Sequence, residues 1–428
     1  MVWFAPYYGY KPLILYLVYH LVLFPLFRSD LRFIPGPALS KFTDLYPLLL
    51  ARTGSAHEHH LHLHKRYGPF VRLGPNNVSV GSPAAIPILY NARTRYPKSA
   101  FYPVMGNVAH GKVVPIIFFM QDESIHESMK RPIAQVYAMT NFKTYEPLID
   151  STKSLCLTKL EKFVEEGRPL DLGTWLHWFT TDVIMEITFG KRLGFLERDE
   201  DVDGMLETIE KRFWYTGQMP WLDRLLHRNP LVDLFTRFVS KPSVSPVLEF
   251  SLKRIAEQKS QRHDHPERTG QEPDFLVMYH LLKNPDSMKT LIAELENSNH
   301  PSPVPWDIAH KLPYLDACNK EALRITPAIG ISLERVAPAE GIELCGKYFG
   351  SGTVLGVNAW MERALFAFAG GSRVCLGKNI SYLEMYKVIP EMLQRFKSKD
   401  SRKNWSLKNG FSTYTRDVEV SIQRRESS

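Results

Sequence analysis

The sequence has few cysteines, and they are not arranged in the pairs that disulfide scaffolds and zinc sites use. Cys156, Cys318, Cys345 and Cys375 are the only four in 428 residues, and no C-x-x-C motif is present. This scatter argues against a disulfide-stapled secreted scaffold and against a zinc ribbon. It predicts reduced thiols in a cytosolic protein.

Long basic runs and internal repeats are also missing. The chain has 53 Lys and Arg residues against 45 Asp and Glu, a net charge of +8, but no cationic block that would indicate nucleic-acid binding. No repeat indicates a solenoid or propeller. The hydrophobic fraction of 44% fits a globular protein with a sizeable core. The positive charge favours an anionic lipid surface or an acidic protein partner.

The N-terminus contains the longest apolar stretch, Pro12–Phe27, followed at once by Arg28 and Arg32. Its length approaches that of a bilayer-spanning helix, and the arginines place the rest of the chain on the cytosolic side. We predict a membrane anchor over residues 1–30, a proline-rich hinge over 31–40 and a catalytic domain over 41–428. A buried hairpin of a soluble domain is the alternative for the apolar stretch.

The remaining pattern predicts a mainly α fold with a small β portion. Helical periodicity dominates 151–259, where two helices end on glycine, and it returns in 274–296, 312–326 and 380–396. Short strands are predicted at Phe70–Leu73 and Val78–Val80, and alternation predicts further β-structure over 341–360.

Histidines cluster in the segment HEHHLHLH, where His60 and His64 have the i, i+4 spacing of a helical metal site. The other members are His57, His59 and His62. No carboxylate apart from Glu58 has convincing spacing for a further ligand. We therefore expect helix-surface histidines, with metal binding as the minor alternative.

One cysteine has a setting that indicates chemistry. In FAFAGGSRVCLGKNIS, Cys375 lies just before a predicted helix, two residues after Arg373 and among Gly370, Gly371 and Gly377. A helix N-terminus and a nearby cation favour a thiolate, which serves as a nucleophile or as a soft metal ligand. A nucleophile needs an adjacent base, and the sequence has no histidine after His310.

The same loop resembles the haem-binding loop of cytochrome P450s through the pattern F-x-x-G-x-R-x-C-x-G over residues 368–377. Glu321-Ala322-Leu323-Arg324 resembles the E-x-x-R of helix K in that family, and the flanking sequence is most similar to fungal P450s of the pisatin-demethylase-like type. The resemblance runs from about Ile34 to Arg416. It implies a cytochrome P450-like haem-thiolate fold.

The resemblance also implies roles for individual residues. Cys375 would be the axial ligand of the iron in haem b, with Phe368 beside the sulfur. Glu321 and Arg324 would form a buried structural ion-pair network. Gly371 and Gly377 would shape the haem loop. Contacts to the haem propionates would come from Arg373, Arg335, His126, Lys130 and Arg131. His126 and Lys130 replace the family's W-x-x-x-R residues in helix C.

Two family elements are missing, so the fold is predicted to be internally truncated. No glycine lies between Gly270 and Gly330, and the oxygen-activating part of helix I is lost near 280/281. No catalytic acid–alcohol pair is therefore identified. The P-E-R-F element, whose arginine would complete the Glu321–Arg324 network, is lost near 360/361. Skipped exons, a wrong gene model or a natural degenerate P450 would each explain the losses.

The leading hypothesis is a P450 monooxygenase that oxidises a lipophilic secondary metabolite in a fungus. It would receive electrons from NADPH through cytochrome P450 reductase and be anchored, single-pass, in the endoplasmic reticulum membrane with its catalytic domain in the cytosol. The alternatives are a non-catalytic haem binder or defective P450 remnant, a P450-like isomerase or dehydratase, and a thiol hydrolase.

Overall fold

The computed structural model describes residues 29–105, 108–109, 112–113, 116–218, 273–361, 366–400, 406–409, 411–416 and 418–425. The predicted anchor over residues 1–30 therefore lies almost entirely outside the described residues. Within the described part, no helix is both long enough and apolar enough to cross a bilayer.

The helices bear out the prediction of a mainly α fold. Helices end where glycine permits a left-handed conformation: Gly167 and Gly190 have φ of 63° and 67°. In chain order the helices are α1 (Leu45–Arg52), α2 (Ala56–Tyr67), α3 (Ile86–Leu89), α4 (Glu123–Ala134), α5 (Met139–Phe142), α6 (Glu146–Glu166), α7 (Leu172–Phe189), α8 (Phe195–Arg198), α9 (Met205–Gln218), α10 (Pro273–Lys283), α11 (Pro285–Asn297), α12 (Trp306–Ala309), α13 (Pro313–Ile325) and α14 (Lys378–Arg395).

The β portion consists of short strands. In chain order they are β1 (Phe70–Gly74), β2 (Asn77–Val80), β3 (Val108–Ala109), β4 (Lys112–Val113), β5 (Leu170–Asp171), β6 (Ser332–Val336), β7 (Ile342–Leu344), β8 (Lys347–Phe349), β9 (Val354–Asn358), β10 (Phe396–Asp400), β11 (Ser406–Asn409), β12 (Thr413–Arg416) and β13 (Glu419–Arg424). The main sheet has the order β1-β2-β9-β6, in which β2 and β9 are parallel and the other pairs antiparallel. A three-stranded sheet has the order β10-β13-β5, and β3-β4, β7-β8 and β11-β12 form two-stranded pairs.

Helix α14 lies at the centre of the helical core. Residues 383–393 are all buried, so the helix is covered on every side. Its buried Lys387 donates from Nζ to Glu146 at 2.7 Å and to the carbonyl of Val304 at 2.7 Å. Glu391 accepts from the amide of Val304 at 3.0 Å. These contacts satisfy charges that would otherwise be costly to bury.

The segment predicted to be a hinge packs on the domain instead. Leu31, Ile34 and Ser40 are buried, and the carbonyl of Pro35 accepts from the amide of Arg72 at 2.8 Å. A Cβ on Gly36 would lie 2.4 Å from the Arg72 carbonyl oxygen, so only glycine fits this close approach. Within the described residues, 31–40 is thus part of the sheet side of the fold.

Candidate functional site

Backbone hydrogen bonds hold the cysteine loop in place, and its cysteine remains exposed. A short 3-10 turn, Gly371–Arg373, precedes Cys375, and α14 begins three residues later. The amide of Cys375 donates to the carbonyl of Phe368 at 3.0 Å. The residue Cys375 itself is exposed. The loop therefore holds the sulfur at the start of a buried helix, with one side open.

Gly371 is the glycine that this loop requires. Its φ is +64°, and a Cβ there would lie 2.1 Å from the carbonyl oxygen of Tyr90. Gly370 has extended φ and ψ of −150° and 174°, and Gly377 has a φ of −76°, so neither needs a left-handed conformation. Phe368 is half-buried, and its ring centroid lies 5.4 Å from that of Tyr382.

Arg373 connects the loop to the N-terminus of α4. Its Nε donates to Glu123 Oε1 at 2.7 Å and its Nη1 to the carbonyl of Met120 at 2.8 Å, while 4% of its side chain is exposed. Burial lowers the pKa of Arg373, and the contact with Glu123 opposes that shift. Helix α4 begins here because Asp122 caps it, accepting from the amides of Ser124 and Ile125.

Two residues one turn apart on α4 face the same region. Lys130 Nζ donates to the loop carbonyls of Ser372 at 2.7 Å and Val374 at 3.4 Å. His126 is buried, and its pKa is lowered to about 3, first by burial and then by the cations Arg373, Lys130, Lys98 and Arg335. The prediction had included Arg131, but that residue is exposed and is not brought into this group, because the helix turns about 100° per residue.

Arg335 and Lys98 complete the group from the sheet side. Arg335 lies on β6, is 3% exposed, and has its guanidinium carbon 4.9 Å from the centre of the Tyr90 ring. Lys98 pairs with Arg335 through a backbone bridge. Sequence reasoning did not identify Lys98, because only the fold shows that this lysine is buried.

We call Lys98, His126, Lys130, Arg335 and Arg373 the cation cluster. Within the described residues, the carboxylate of Glu123 forms an ion pair with Arg373 of this cluster. Glu334 is adjacent, but its oxygens accept from Asn77 and Ser99, and burial raises its pKa.

A buried tyrosine hydroxyl lies beside the cation cluster. Tyr102 Oη is buried without a hydrogen-bond partner of good geometry in the described structure. Burial raises the pKa of Tyr102 to about 12, although the guanidinium of Arg335 beside it lowers that pKa. Basic side chains gathered beside the Cys375 loop fit an anionic group such as a carboxylate there. The propionates of haem have this chemistry.

The predicted Glu321–Arg324 network differs from the expectation of burial. Arg324 Nε and Nη2 donate to Glu321 Oε2 and Oε1 at 2.7 and 2.6 Å, but the side chains of Arg324 and Glu321 are 32% and 53% exposed. The pair lies at the last turn of α13, on a face that the described residues leave partly open. The element predicted to be lost near 360/361 would have supplied the third partner.

Both predicted junctions lie in regular structure. Residues 280 and 281 fall inside α10, and His280 Nε2 lies 2.7 Å from Thr326 Oγ1. Residues 360 and 361 fall in the 3-10 turn Ala359–Met361, just before residues 362–365, which lie outside the described part.

The histidine cluster has structural roles. His60 is buried 3.3 Å from Asn358 Nδ2, and His64 lies 2.8 Å from both the carbonyl of Gly68 and Ser79 Oγ. The ring of His57 lies 4.2 Å from that of Trp360. In the described part of the chain, no group of His, Cys, Asp and Glu side chains is arranged to hold a metal ion.

Comparison with known proteins identifies the family. The cytochrome P450 family model matches residues 36–263, 275–364 and 361–419. The chain belongs to the cytochrome P450 family. The predicted resemblance to the P450 family is thereby confirmed, and so is the prediction of an enzyme, because similar P450s are monooxygenases.

Three P450 relatives are similar over most of their length. Cytochrome P450 monooxygenase cicH of Emericella nidulans is 35% identical over 463 aligned positions, which cover 89% of this chain and 91% of the relative. A cytochrome P450 monooxygenase of Aspergillus terreus is 35% identical, with 87% and 91% covered. Cytochrome P450 monooxygenase pkfB of Emericella nidulans is 30% identical, with 85% of each chain covered. P450s carry haem iron, which is the cofactor that this chain's cation cluster and thiol fit.

Proposed function

We propose that this P450 holds haem b through Cys375 and oxidises a lipophilic small molecule of fungal secondary metabolism. The observation that carries the proposal is the placement of the open Cys375 loop beside the cation cluster. Haem iron bound to a thiolate supplies the oxidising chemistry of the family. The described side chains would hold and orient the cofactor.

Each part of the site would have a separate task. Cys375 would bind iron on the open side of its loop, and Phe368 would shield the sulfur from water. Arg373 and Arg335 would bind carboxylates from two directions, since a guanidinium forms bidentate hydrogen bonds with that group. Lys130 would keep α4 attached to the loop through the carbonyls of Ser372 and Val374, so that His126 remains in place.

The test of haem–thiolate binding is a pair of cysteine substitutions. We expect the purified full chain, loaded with haem and reduced under carbon monoxide, to give the absorption band typical of thiolate ligation. Cys375→Ser should abolish the band. Cys345→Ser is the matched control, because Cys345 is also exposed but lies in the turn between β7 and β8. A thiolate band that survives in Cys375→Ser, or no band in the parent chain, would overturn the assignment.

Oxygen activation is proposed to be the impaired step. The alignment with cicH spans 463 positions, more than the 428 residues of this chain, so part of the relative has no counterpart here. The family model matches residues 361–364 twice, in its second and its third segment. That double match supports the predicted loss near 360/361, and the loss near 280/281 rests on the missing helix I motif and on the length of the alignment with the relative.

The experiment on oxygen activation compares two versions of the enzyme. We expect the present chain to bind haem but to consume NADPH slowly, and a version with the relative's two segments inserted to turn over faster. Equal NADPH consumption and product formation by the two versions would refute an impaired step. The named function of the relatives favours the monooxygenase over a non-catalytic haem binder.

Attachment to the endoplasmic reticulum membrane, with NADPH–cytochrome P450 reductase as the electron donor, completes the proposal. Its support is a run of exposed apolar side chains that follows the N-terminal apolar stretch in sequence: Phe33 is 81%, Leu45 56% and Leu49 54% exposed. Leu39 and Phe42 are also exposed, and Arg52 comes after them in the sequence. An exposed apolar patch edged by basic residues fits an anionic lipid surface. The net charge of +8 suits an acidic reductase face.

Membrane attachment is tested with the full chain in fungal microsomes. We expect Phe42→Asp together with Leu45→Asp to increase the fraction of protein released by high salt. Ile88→Asp serves as a control, because Ile88 is also partly exposed but lies on α3. Equal release of all three proteins would overturn the assigned surface.

A further inference from the structure

Four aromatic side chains form a continuous row from the Cys375 loop to α12. The ring centroids of Phe368 and Tyr382 lie 5.4 Å apart, and those of Tyr382 and Tyr386 lie 6.2 Å apart. The Tyr386 ring lies 5.2 Å from that of Trp306. Tyr382 and Tyr386 are four residues apart on α14, which places their rings on the same face of that helix. The row therefore connects the cysteine loop with a helix on the other side of α14.

Each end of the row has a defined position. At the loop end, the carbonyl of Phe368 accepts from the amide of Cys375 at 3.0 Å. At the other end, the ring of His310 stacks on Trp306 with 4.8 Å between the centroids. Tyr386 and Trp306 are buried, whereas His310 is half-buried. The row thus runs from the residue proposed to bind iron, through the helical core, to the surface.

The hydroxyl of Tyr386 is paired with a proton acceptor. It donates to Asp316 Oδ1 on α13, and the other oxygen of that carboxylate accepts from Lys320 Nζ at 2.6 Å. Phenylalanine would fill the same space without a polar atom to bury, so packing alone does not call for the hydroxyl. A phenol becomes a strong acid when it loses an electron, and a carboxylate on its hydroxyl makes that loss easier. Tyr386 is therefore the residue of the row best placed to give up an electron.

We propose that Tyr382, Tyr386 and Trp306 carry oxidising equivalents from the haem site to the surface of the protein. We call these three residues the aromatic relay. The inference rests on the proposed function, since it needs haem at the Cys375 loop. Electron transfer between neighbouring rings is fast, because tunnelling weakens steeply with distance. The relay protects the cofactor when the haem site is oxidised and no substrate is present to react with it.

The electrons and protons of this route balance. The oxidant is a peroxide, which takes two electrons from the haem site and two protons from solvent and is reduced to water. One electron passes from Tyr386 through Tyr382 to the haem site, and the phenolic proton of Tyr386 moves to Asp316. Trp306 then gives an electron to Tyr386, which recovers its proton from Asp316. A reductant in solution, such as ascorbate, replaces the electron of Trp306, and a second passage restores the other electron.

The probe is hydrogen peroxide, mixed with the haem-loaded full chain and freeze-quenched for electron paramagnetic resonance. We expect the parent to form a tyrosyl radical, whose spectrum narrows when the protein is made with ring-deuterated tyrosine. Tyr386→Phe should lose this radical, and its haem should bleach severalfold faster with peroxide. The phenylalanine keeps the ring in place, so only the oxidisable hydroxyl is removed.

Three further variants separate the steps of the relay. Asp316→Asn keeps an acceptor for the Tyr386 hydroxyl but takes up its proton poorly, so the radical should be weaker. Trp306→Phe should lengthen the life of the tyrosyl radical when ascorbate is present. Tyr314→Phe is the matched control, because Tyr314 is half-buried on α13 but lies outside the row of rings. It should match the parent in radical yield and in the rate of haem bleaching.

The absorption spectrum before peroxide is added shows whether each variant has folded around haem. Radical yield and bleaching in Tyr386→Phe that equal those of the parent would overturn the relay. A parent that binds haem but forms no tyrosyl radical with peroxide would overturn it as well, and that result does not depend on any variant folding. A parent chain that binds no haem would instead refute the proposed function itself, and the relay with it.

Discussion

Alanine substitutions at two neighbouring glycines of the cysteine loop, Gly371 and Gly370, should show which of them is required by its backbone conformation. Gly371 has a φ of +64°, and an added Cβ would lie 2.1 Å from Tyr90 O and 2.9 Å from Tyr90 C. These atoms belong to the backbone and cannot rotate away. Gly370, its neighbour, has extended dihedral angles, and its nearest contact to an added Cβ is 3.5 Å.

The geometry sets different magnitudes for the two positions. In Gly371→Ala, the left-handed conformation costs about 1–2 kcal/mol, and moving the loop off the Tyr90 carbonyl costs about 1–3 kcal/mol more. We therefore expect the free energy of unfolding to fall by about 2–5 kcal/mol. Gly370→Ala should range from neutral to a gain of about 1 kcal/mol, because alanine restricts the unfolded chain at no native cost.

The assay is denaturant unfolding of the two variants and the parent without added haem, followed by haem titration. Gly371→Ala should unfold at a lower denaturant concentration, with an unchanged dependence of the unfolding free energy on denaturant. After haem titration it should give a weaker thiolate band, because Cys375 lies four residues away in the same loop. Equal midpoints for the two alanine variants would refute the argument that Gly371 is required by its contact with Tyr90.

Three further predictions concern charges. Because the pKa of His126 is lowered to about 3 in the fold, the unfolded chain binds more protons below the ordinary pKa. Acidification to pH 5 should therefore cost about 2 kcal/mol of stability that His126→Phe does not lose, as measured by unfolding at several pH values. Lys387→Met removes the buried ammonium that pairs with the partly exposed Glu146 and Asp150, and should cost about 1–3 kcal/mol in chemical unfolding. Lys143→Met, which removes a surface pair with 49% of the lysine exposed, should cost under about 1 kcal/mol. Glu321→Ala should likewise lower the free energy of unfolding of this chain by less than about 1 kcal/mol. The loss should be larger in a version of the chain into which the segment predicted to be missing near 360/361 is inserted. Equal shifts of the thermal midpoint in the two versions would contradict this prediction.

Local sequence patterns predicted most of the elements. The glycine stops after α6 and α7 lie where they were expected, and Pro285 separates α10 from α11. The strands flanking the predicted turn at 74–77 pair as a hairpin. These features depend on neighbours within a few residues, so one segment carries the necessary information. The Cys375 loop was identifiable for the same reason, since its signature occupies ten consecutive residues.

The rest of the site depends on which elements of the fold pack over each side chain, and the sequence of a single segment does not contain that information. Lys98 looks like a surface lysine in sequence, and only its pairing with β6 buries it. Glu321 and Arg324 were expected to be buried because the family resemblance implies a covering element, but both are partly exposed among the described residues. Arg131 shares a sequence neighbourhood with Lys130 but lies on a different face of α4.

The segments predicted to be lost adjoin 280/281 and 360/361, whereas the residues proposed to hold haem lie on α4, β6 and the Cys375 loop. We therefore expect haem binding and turnover to be separable. The Cys375 loop leads directly into α14, and buried Lys387 and Glu391 join that helix to α6 and to the carbonyl and amide of Val304. None of these contacts needs a residue from the lost part of helix I. The cation cluster is likewise assembled from β6, α4 and the segment around Lys98. We therefore expect haem binding to survive the predicted losses, and oxygen activation to be the step that they impair.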